Sequence, residues 1–181
     1  MRILAGKLAG RHLAQVADPR MRPTAEHVRG AVLDHLAPWL PKAKVLDLFA
    51  GTGALGLEAL SRGAKYCDFV EFRPGSLHTL KANIALLGMR ERIRVFKKDA
   101  VPFAAKLGPG SYDIVFLDPP YESKVLDRVF EMWKAKPFST VLVAEHAASH
   151  PMPGGTKRFK FVETNVTVYE APAKKAPQTP P

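Results

Sequence analysis

A short segment that combines an acid, two prolines and an aromatic ring, Asp118-Pro119-Pro120-Tyr121, follows the apolar run 114–117. Prolines cannot extend a central strand and donate no N–H, so they stiffen the backbone and leave its carbonyl oxygens available. Asp118 and the carbonyl of Pro119 could accept both hydrogens of an amine on a planar base, which frees the nitrogen lone pair for attack. Tyr121 could stack on that base. The segment therefore predicts chemistry on a nucleobase amine, although a plain strand-to-helix turn would use similar residues.

A glycine-rich turn, Gly51-Thr52-Gly53-Ala54-Leu55-Gly56, comes directly after the apolar run 45–49 and opens a predicted helix. Its spacing is typical of a dinucleotide-binding loop. Glu71 lies 20 residues beyond Gly51, where an acid that binds ribose hydroxyls is expected. A nicotinamide-dependent oxidoreductase is therefore one hypothesis. The turn alone does not decide, because many cofactors that carry adenosine use such a loop.

Asp47 ends the strand before this turn, where the middle of a bound cofactor would lie. A pyrophosphate there would be repelled, since at ~4 Å and an effective dielectric near 20 each unit of like charge costs about 4 kcal/mol. S-adenosylmethionine carries an ammonium and a sulfonium instead, and a carboxylate attracts both. Asp47 therefore favours the methyl donor over a dinucleotide. Turn capping by Asp47 and a structural role for Glu71 remain alternatives.

The elements that must position these residues alternate between strand and helix. Apolar runs predict strands near 45–49, 67–71, 92–97, 112–117 and 139–144. The apolar periodicity predicts one helix that begins near Thr24 and ends before Pro41, and a second that follows the glycine turn and ends at about 62. Two more helices are predicted across 77–87 and around 122–134. Repeated β-α units predict an α/β, Rossmann-like fold with a mostly parallel sheet. The alternating segments 157–161 and 165–170 predict an antiparallel hairpin at the C-terminal edge.

The size and composition fit one domain. The chain has 181 residues, 46% of them hydrophobic, and a single cysteine, Cys67, which excludes an internal disulfide or a zinc cluster, so no metal is expected. We expect one domain over 1–171, with residues 1–23 as a basic hairpin extension (strands near 2–4 and 8–13) and 172–181 as a disordered tail. No apolar run approaches a membrane span, and a cytoplasmic protein is expected.

Several segments together resemble the RsmD family of 16S ribosomal RNA (guanine-N2)-methyltransferases, over nearly all of residues 2–170. The segments that carry the likeness are the basic start 2–11, Arg22-Pro23-Thr24 with Val28-Arg29, the run 46–64, Val70-Glu71, Asp99-Ala100 and the tetrapeptide 118–121. The resemblance implies a seven-stranded, S-adenosylmethionine-dependent methyltransferase fold that acts on small-subunit ribosomal RNA or its assembling ribonucleoprotein particle. The sequence does not show the oligomeric state, and a monomer is the default expectation.

The same resemblance, added to the residue chemistry, assigns roles to individual positions. The candidate catalytic residues are Asp118, Pro119, Pro120 and Tyr121, and the candidate cofactor-binding residues are Asp47, Phe49, Ala50, Gly51, Gly53, Glu71, Asp99 and Ala100. Asp99 with Ala100 would hold the adenine, although an exposed loop aspartate is a competing interpretation.

The charge of the chain points to a polyanionic partner. The formal net charge is +10, which favours nucleic acid first and an anionic membrane second. The candidate RNA contacts are Arg2, Lys7, Arg11, Arg22 and Arg29. A second basic cluster, Arg90, Arg92, Arg94, Lys97 and Lys98, could assist or be a solvated face. A DNA adenine-N6 methyltransferase, an NAD-dependent oxidoreductase and a non-catalytic RNA-binding module remain alternatives.

Overall fold

A computed structural model describes residues 1–15, 25–120 and 124–172. In these ranges the strands are β1 (Lys44–Asp47), β2 (Tyr66–Val70), β3 (Ile93–Phe96), β4 (Tyr112–Leu117), β5 (Ser139–Ala147), β6 (Lys157–Lys160) and β7 (Thr164–Glu170). The α-helices are α1 (Glu26–His35), α2 (Ala54–Ser61), α3 (Pro74–Leu87), α4 (Ala100–Ala104) and α5 (Val125–Ala135), and a 3-10 turn covers Arg90–Arg92.

The strands of the described residues form one seven-stranded sheet in the order β3-β2-β1-β4-β5-β7-β6. The pairs β1–β2, β2–β3, β1–β4 and β4–β5 are parallel, whereas β7 pairs antiparallel with both β5 and β6. The predicted α/β fold, with its antiparallel C-terminal strands, is confirmed. Because the chain first builds outward from β1 to β3 and then returns to place β4 on the other side of β1, a crevice is expected where β1 and β4 end.

Both faces of the sheet are covered, as the apolar strand runs require. On β1 and β4 the side chains alternate: Val45 and Phe116 pack with α1, α2 and α3, while Leu46 and Val115 pack with α4 and α5. These four side chains are at most 1% exposed. The two cores fix the directions of β1 and β4, and so the place where the segments after them meet.

The N-terminal extension is held against α2 by a buried acid. Glu58, on α2, accepts hydrogen bonds from the backbone N–H groups of Leu4 (2.7 Å) and Ala5 (2.9 Å). Gly6 has φ +83°, and a Cβ there would lie 2.0 Å from the carbonyl oxygen of Ser61. Only glycine allows this approach of the two backbones. The described part of the extension is therefore packed on the main body.

The structure differs from the sequence expectations in several elements. In the described residues the predicted N-terminal hairpin is shorter than expected: it has one antiparallel bridge, between Arg2 and His12, flanked by backbone hydrogen bonds from Ile3 to Arg11 and from Leu13 to Met1. Helix α1 begins at Glu26 and ends at His35, with turns in place of the predicted continuation toward Pro41. Helix α4 was not predicted, because five residues with an internal proline show no periodicity.

The assignment of 172–181 as a disordered tail falls, except for Pro172, outside the described residues. The division into a domain over 1–171 with an extension over 1–23 stays a prediction. Among the described helices, none has both the length and the apolar character needed to cross a membrane.

Candidate active site

Asp47 lies buried between the glycine turn and helix α2. It is 2% exposed, and its Oδ2 accepts a hydrogen bond from the N–H of Gly56 at 3.1 Å, within the first turn of α2. Burial and, to a smaller extent, the negative charge of Glu71 raise the pKa of Asp47 to about 7, against the lowering effect of its hydrogen bond from Gly56. The capping role that the sequence left open is therefore present, and the carboxyl group is poised to ionise near neutral pH.

Glu71 connects the end of β2 to the glycine turn. It is 3% exposed. One oxygen accepts from the N–H of Gly51 (2.9 Å), and the other accepts from the N–H groups of Phe72 (2.9 Å) and Arg73 (2.8 Å). The side chain thus fixes the turn from the neighbouring strand. The oxygen that accepts from Gly51 receives a single hydrogen bond from the described residues and has further acceptor capacity for a ligand hydroxyl.

The two glycines of the turn have left-handed backbone conformations, with φ +55° at Gly51 and +83° at Gly53. A Cβ at Gly53 would lie 2.4 Å from Cδ1 of Leu80 on α3. This glycine is therefore required both by the turn and by the packing of α3. Ala50 is held by a backbone bond from its N–H to the carbonyl of Val70 (3.1 Å), while Phe49 is half-buried against the core under α4 and α5.

The acidic proline segment leaves β4 beside this turn. Asp47 on β1 is in register with Phe116 on β4, and the Leu48 N–H donates to the Phe116 carbonyl at 3.1 Å. Asp118 follows two residues later and is half-buried; Pro119 is buried and Pro120 is exposed. Tyr121 lies outside the described residues. The segment and the glycine turn therefore begin on adjacent parallel strands, at the crevice where the strand order reverses.

Asp99 and Ala100 follow β3, at the same edge of the sheet but two strands away from β1. Asp99 caps α4, because its side chain accepts from the N–H of Val101 at 2.9 Å. Asp99 is exposed and Ala100 is buried. The structure brings the segments after β1, β2 and β4 together most closely, with the segment after β3 at the margin.

Two residues that the sequence reasoning missed belong to this site. Asn83 on α3 is fully buried, and its side-chain amide donates to the carbonyls of Ala14 (3.1 Å) and Thr52 (3.0 Å). It thereby couples the N-terminal extension to the glycine turn; a polar residue on the apolar face of α3 was the available signal. Phe72, directly after Glu71, is 56% exposed and is an aromatic surface beside the turn.

The prediction that Arg29 contacts RNA is wrong. Arg29 is 0% exposed; its guanidinium donates to the carbonyl of Arg2 at 2.5 Å and lies 3.7 Å from Glu58. Arg29 lies on the buried face of α1 beside Val28 and Val32, so its charge stabilises the attachment of the extension instead.

The other predicted RNA contacts stay predictions. Arg2, Lys7 and Arg11 are exposed, and Arg22 lies outside the described residues. Arg2 pairs with Glu26 at 3.4 Å, and Arg11 donates to the carbonyl of Leu86 at 2.9 Å.

The second basic cluster is partly structural. Arg94 donates two hydrogen bonds, of 2.8 and 2.6 Å, to the buried carboxylate of Asp68, which also accepts from the hydroxyl of Tyr112 at 2.7 Å. Arg94 is therefore engaged with the sheet, whereas Lys97 and Lys98 remain exposed.

The acids around the turn fit a cationic ligand better than a pyrophosphate. Asp47 and Glu71 lie at the ends of neighbouring strands, both are almost fully buried, and the charge of Glu71 disfavours ionisation of Asp47. A positive ligand would relieve this repulsion, and an added phosphate charge would increase it. No cluster of three or more potential metal ligands occurs among the described residues.

Fold and site together define an α/β protein of the methyltransferase class, and comparison with known proteins gives the family. Residues 1–169 match the family model described as Conserved hypothetical protein 95, and the chain belongs to this family, which confirms the RsmD-family resemblance. YlbH of Bacillus subtilis (strain 168) is 32% identical over 94% of this chain and 98% of its own length.

Two further relatives come from Escherichia coli. Ribosomal RNA small subunit methyltransferase D of strain K12 is 38% identical over 73% of this chain and 66% of its own length. The solved structure of yhhF superimposes with a TM-score of 0.81 at 30% identity, over 94% of this chain and 97% of that one.

Proposed function

We propose that this protein transfers a methyl group from S-adenosylmethionine to the exocyclic N2 amine of a guanine in small-subunit ribosomal RNA. The observation that carries the proposal is the parallel pairing of β1 with β4. Buried acids suited to a cation lie at the ends of β1 and β2, and the segment suited to a base amine follows β4 at the same edge of the sheet. The name of the Escherichia coli relative supports ribosomal RNA as the substrate class.

S-adenosylmethionine supplies an electrophilic methyl group on a sulfonium, so the protein chiefly positions and desolvates the reactants. The backbone of residues 51–53 and Asp47 hold the methionine part, and Glu71 accepts from the ribose hydroxyls. Asp99 and Ala100 border the adenine. These roles use the acceptor groups around the glycine turn, since the N–H groups of Gly51 and Gly53 already donate to Glu71 and to the carbonyl of Ala50.

On the other side of the crevice, Asp118 and the carbonyl of Pro119 accept the two amine hydrogens, which disfavours conjugation of the nitrogen with the ring. The ring of Tyr121, from the sequence, stacks on the base. A paired base cannot enter such a site, so the target guanine is in a loop, single-stranded or flipped out. Arg2, Lys7, Arg11 and Arg22 contact the RNA backbone, and a monomer suffices.

The direct test is to incubate the protein with a tritiated methyl donor and either small-subunit ribosomal RNA, its partly assembled particle or duplex DNA. Label in the RNA or particle, recovered as N2-methylguanosine by mass, is expected. Label in DNA as N6-methyladenine would replace the proposal with the DNA alternative.

We expect the affinity for S-adenosylmethionine to depend on the ionisation of Asp47. Since its pKa is raised to about 7, lowering the pH from about 8 to about 6 should weaken binding by roughly tenfold. Calorimetric titration measures this. Asp47→Asn is the control, because it retains only the titration of the donor's own amino group. Equal pH dependence in both proteins would contradict the role of Asp47.

The same shift has the opposite consequence for the unliganded fold. The folded pKa of Asp47 lies above its ordinary value of 3.8, so the contribution of this group to stability is largest when it is protonated. That contribution falls as the pH rises from 3.8 to about 7.

The exposed ring of Phe72 offers a stacking surface for the adenine beside Glu71. Phe72→Ala should weaken S-adenosylmethionine binding about tenfold, since base–aromatic stacking contributes ~1–3 kcal/mol. Leu86→Ala is a matched control, because Leu86 is 51% exposed and Phe72 56% exposed. Equal affinities of the two variants would remove Phe72 from the site.

A further inference from the structure

A line of rings follows the margin between α1 and the edge strand β6. Its members, which we call the ring ribbon, are His27, His35, Trp39, Phe159 and Phe161. His27 is exposed and the other four are half-buried, with one side of Trp39, Phe159 and Phe161 packed against the core. His27 meets Phe161 edge-on with ring centroids 5.5 Å apart, and His35 meets Phe159 in the same way at 5.5 Å. Trp39 extends the line, 5.8 Å from His35.

Positive charge borders the ring ribbon. Lys157 and Lys160 are exposed on β6, and Nζ of Lys157 lies 5.6 Å from the ring centroid of Phe159. The carboxylates on the adjoining helix are engaged with arginines: Glu26 with Arg2 at 3.4 Å and Asp34 with Arg62 at 2.5 Å. The margin therefore combines π-faces with cations, the two features by which proteins bind single-stranded nucleic acid.

Lysines on an edge strand can also have a purely structural role, because they discourage pairing with the strand of another sheet. That explanation does not account for three rings on the facing helix side, His27, His35 and Trp39, continuing the line. A net charge of +10 on the chain further favours an anionic occupant.

The ribbon leads toward the candidate active site. Strand β6 is antiparallel to β7, which is antiparallel to β5, so β6 runs in the same direction as β4 and β5. Its C-terminal end therefore reaches the sheet edge at which Asp118 follows β4. Three strand spacings separate β6 from β4, about 14 Å. At the tip, Val162 is 97% exposed.

We infer that the ring ribbon, with Lys157 and Lys160, is a second RNA-binding surface that holds single-stranded RNA flanking the target nucleotide. The inference rests on the proposed function, and it is distinct from the contacts predicted for the N-terminal extension. Bases stack on the rings, and the lysines contact phosphates. The surface adds affinity while leaving the crevice chemistry unchanged.

The test measures binding of a fluorescent single-stranded oligoribonucleotide by anisotropy at several salt concentrations. The variant Lys157→Ala/Lys160→Ala/Phe161→Leu removes two charges and one ring but keeps an apolar side chain at 161. The matched control, Lys44→Ala/Lys65→Ala, removes two exposed lysines at the amino-terminal ends of β1 and β2, the end of the sheet opposite to Asp118. Thermal unfolding and S-adenosylmethionine binding check that each variant is folded.

We expect the ribbon variant to bind RNA about tenfold more weakly with a shallower salt dependence, and the control to lose much less. Ultraviolet crosslinks should map to the peptide containing residues 157–161. Equal RNA affinities of the two variants would overturn the inference about the ring ribbon and leave the proposed function intact. If the unmodified protein shows no salt-dependent RNA binding, the proposed function is contradicted. A change in sedimentation with unaltered RNA binding would assign the ribbon to a protein interface and overturn the inference.

Discussion

Replacing Asp118 by alanine should reduce the rate of methyl transfer by roughly 100- to 1,000-fold, the effect of removing one preorganised electrostatic group from a transition state. Positive charge develops on the attacking amine, and the carboxylate lies where it can stabilise that charge. The affinity for S-adenosylmethionine should stay near the unmodified value, because the donor binds on the β1 and β2 side of the crevice. Single-turnover transfer to small-subunit ribosomal RNA measures the chemical step.

Asp118→Asn provides the matched comparison. Its side-chain carbonyl still accepts a hydrogen bond but carries no charge, and bonds to charged acceptors are roughly twice as strong as neutral ones. Asn should therefore retain much more activity than Ala. If both variants transfer methyl groups at the unmodified rate, Asp118 has no role in the chemistry.

Replacing Glu58 by alanine should lower the free energy of unfolding by about 3–5 kcal/mol, because a buried cation loses its partner. Glu58 is 0% exposed and accepts hydrogen bonds from two backbone N–H groups of the N-terminal extension. It also forms ion pairs with Arg62 at 2.9 Å and Arg29 at 3.7 Å. Its loss leaves Arg29 charged in the interior. Urea unfolding measures the change.

Two further variants keep this prediction testable. Glu58→Gln preserves acceptor capacity without the charge, so it should be less destabilised if the alanine variant does not fold. Glu131→Ala removes an exposed partner of Lys134, 2.8 Å away, and should cost less than about 1 kcal/mol. Similar losses for Glu58→Ala and Glu131→Ala would show that the buried network does not anchor the extension.

The order of elements was predictable because apolar periodicity is a local property. The runs before the glycine turn and before Asp118 predicted β1 and β4, and parallel β-α units implied that both segments leave the same edge of the sheet. The register of Asp47 with Phe116 depends on side-chain packing across two cores, which the sequence does not state.

Burial of polar residues was less predictable. Arginine is a residue type that is usually exposed, so the sequence favoured a surface contact for Arg29. In the structure Arg29 lies on the buried face of α1, where it is a partner of Glu58. Asp47 was correctly placed at the glycine turn. Its hydrogen bond to Gly56 and its raised pKa follow from a tertiary environment that spacing alone cannot reveal.

We expect the acids beneath the glycine turn to select a positively charged methyl donor and to disfavour a dinucleotide. Equilibrium titration of the same preparation with S-adenosylmethionine and with NAD measures this selection. We predict saturable binding of S-adenosylmethionine, weakened in Asp47→Asn, and no measurable binding of NAD. Tight binding of NAD, with S-adenosylmethionine unable to compete, would show that these acids do not select the methyl donor.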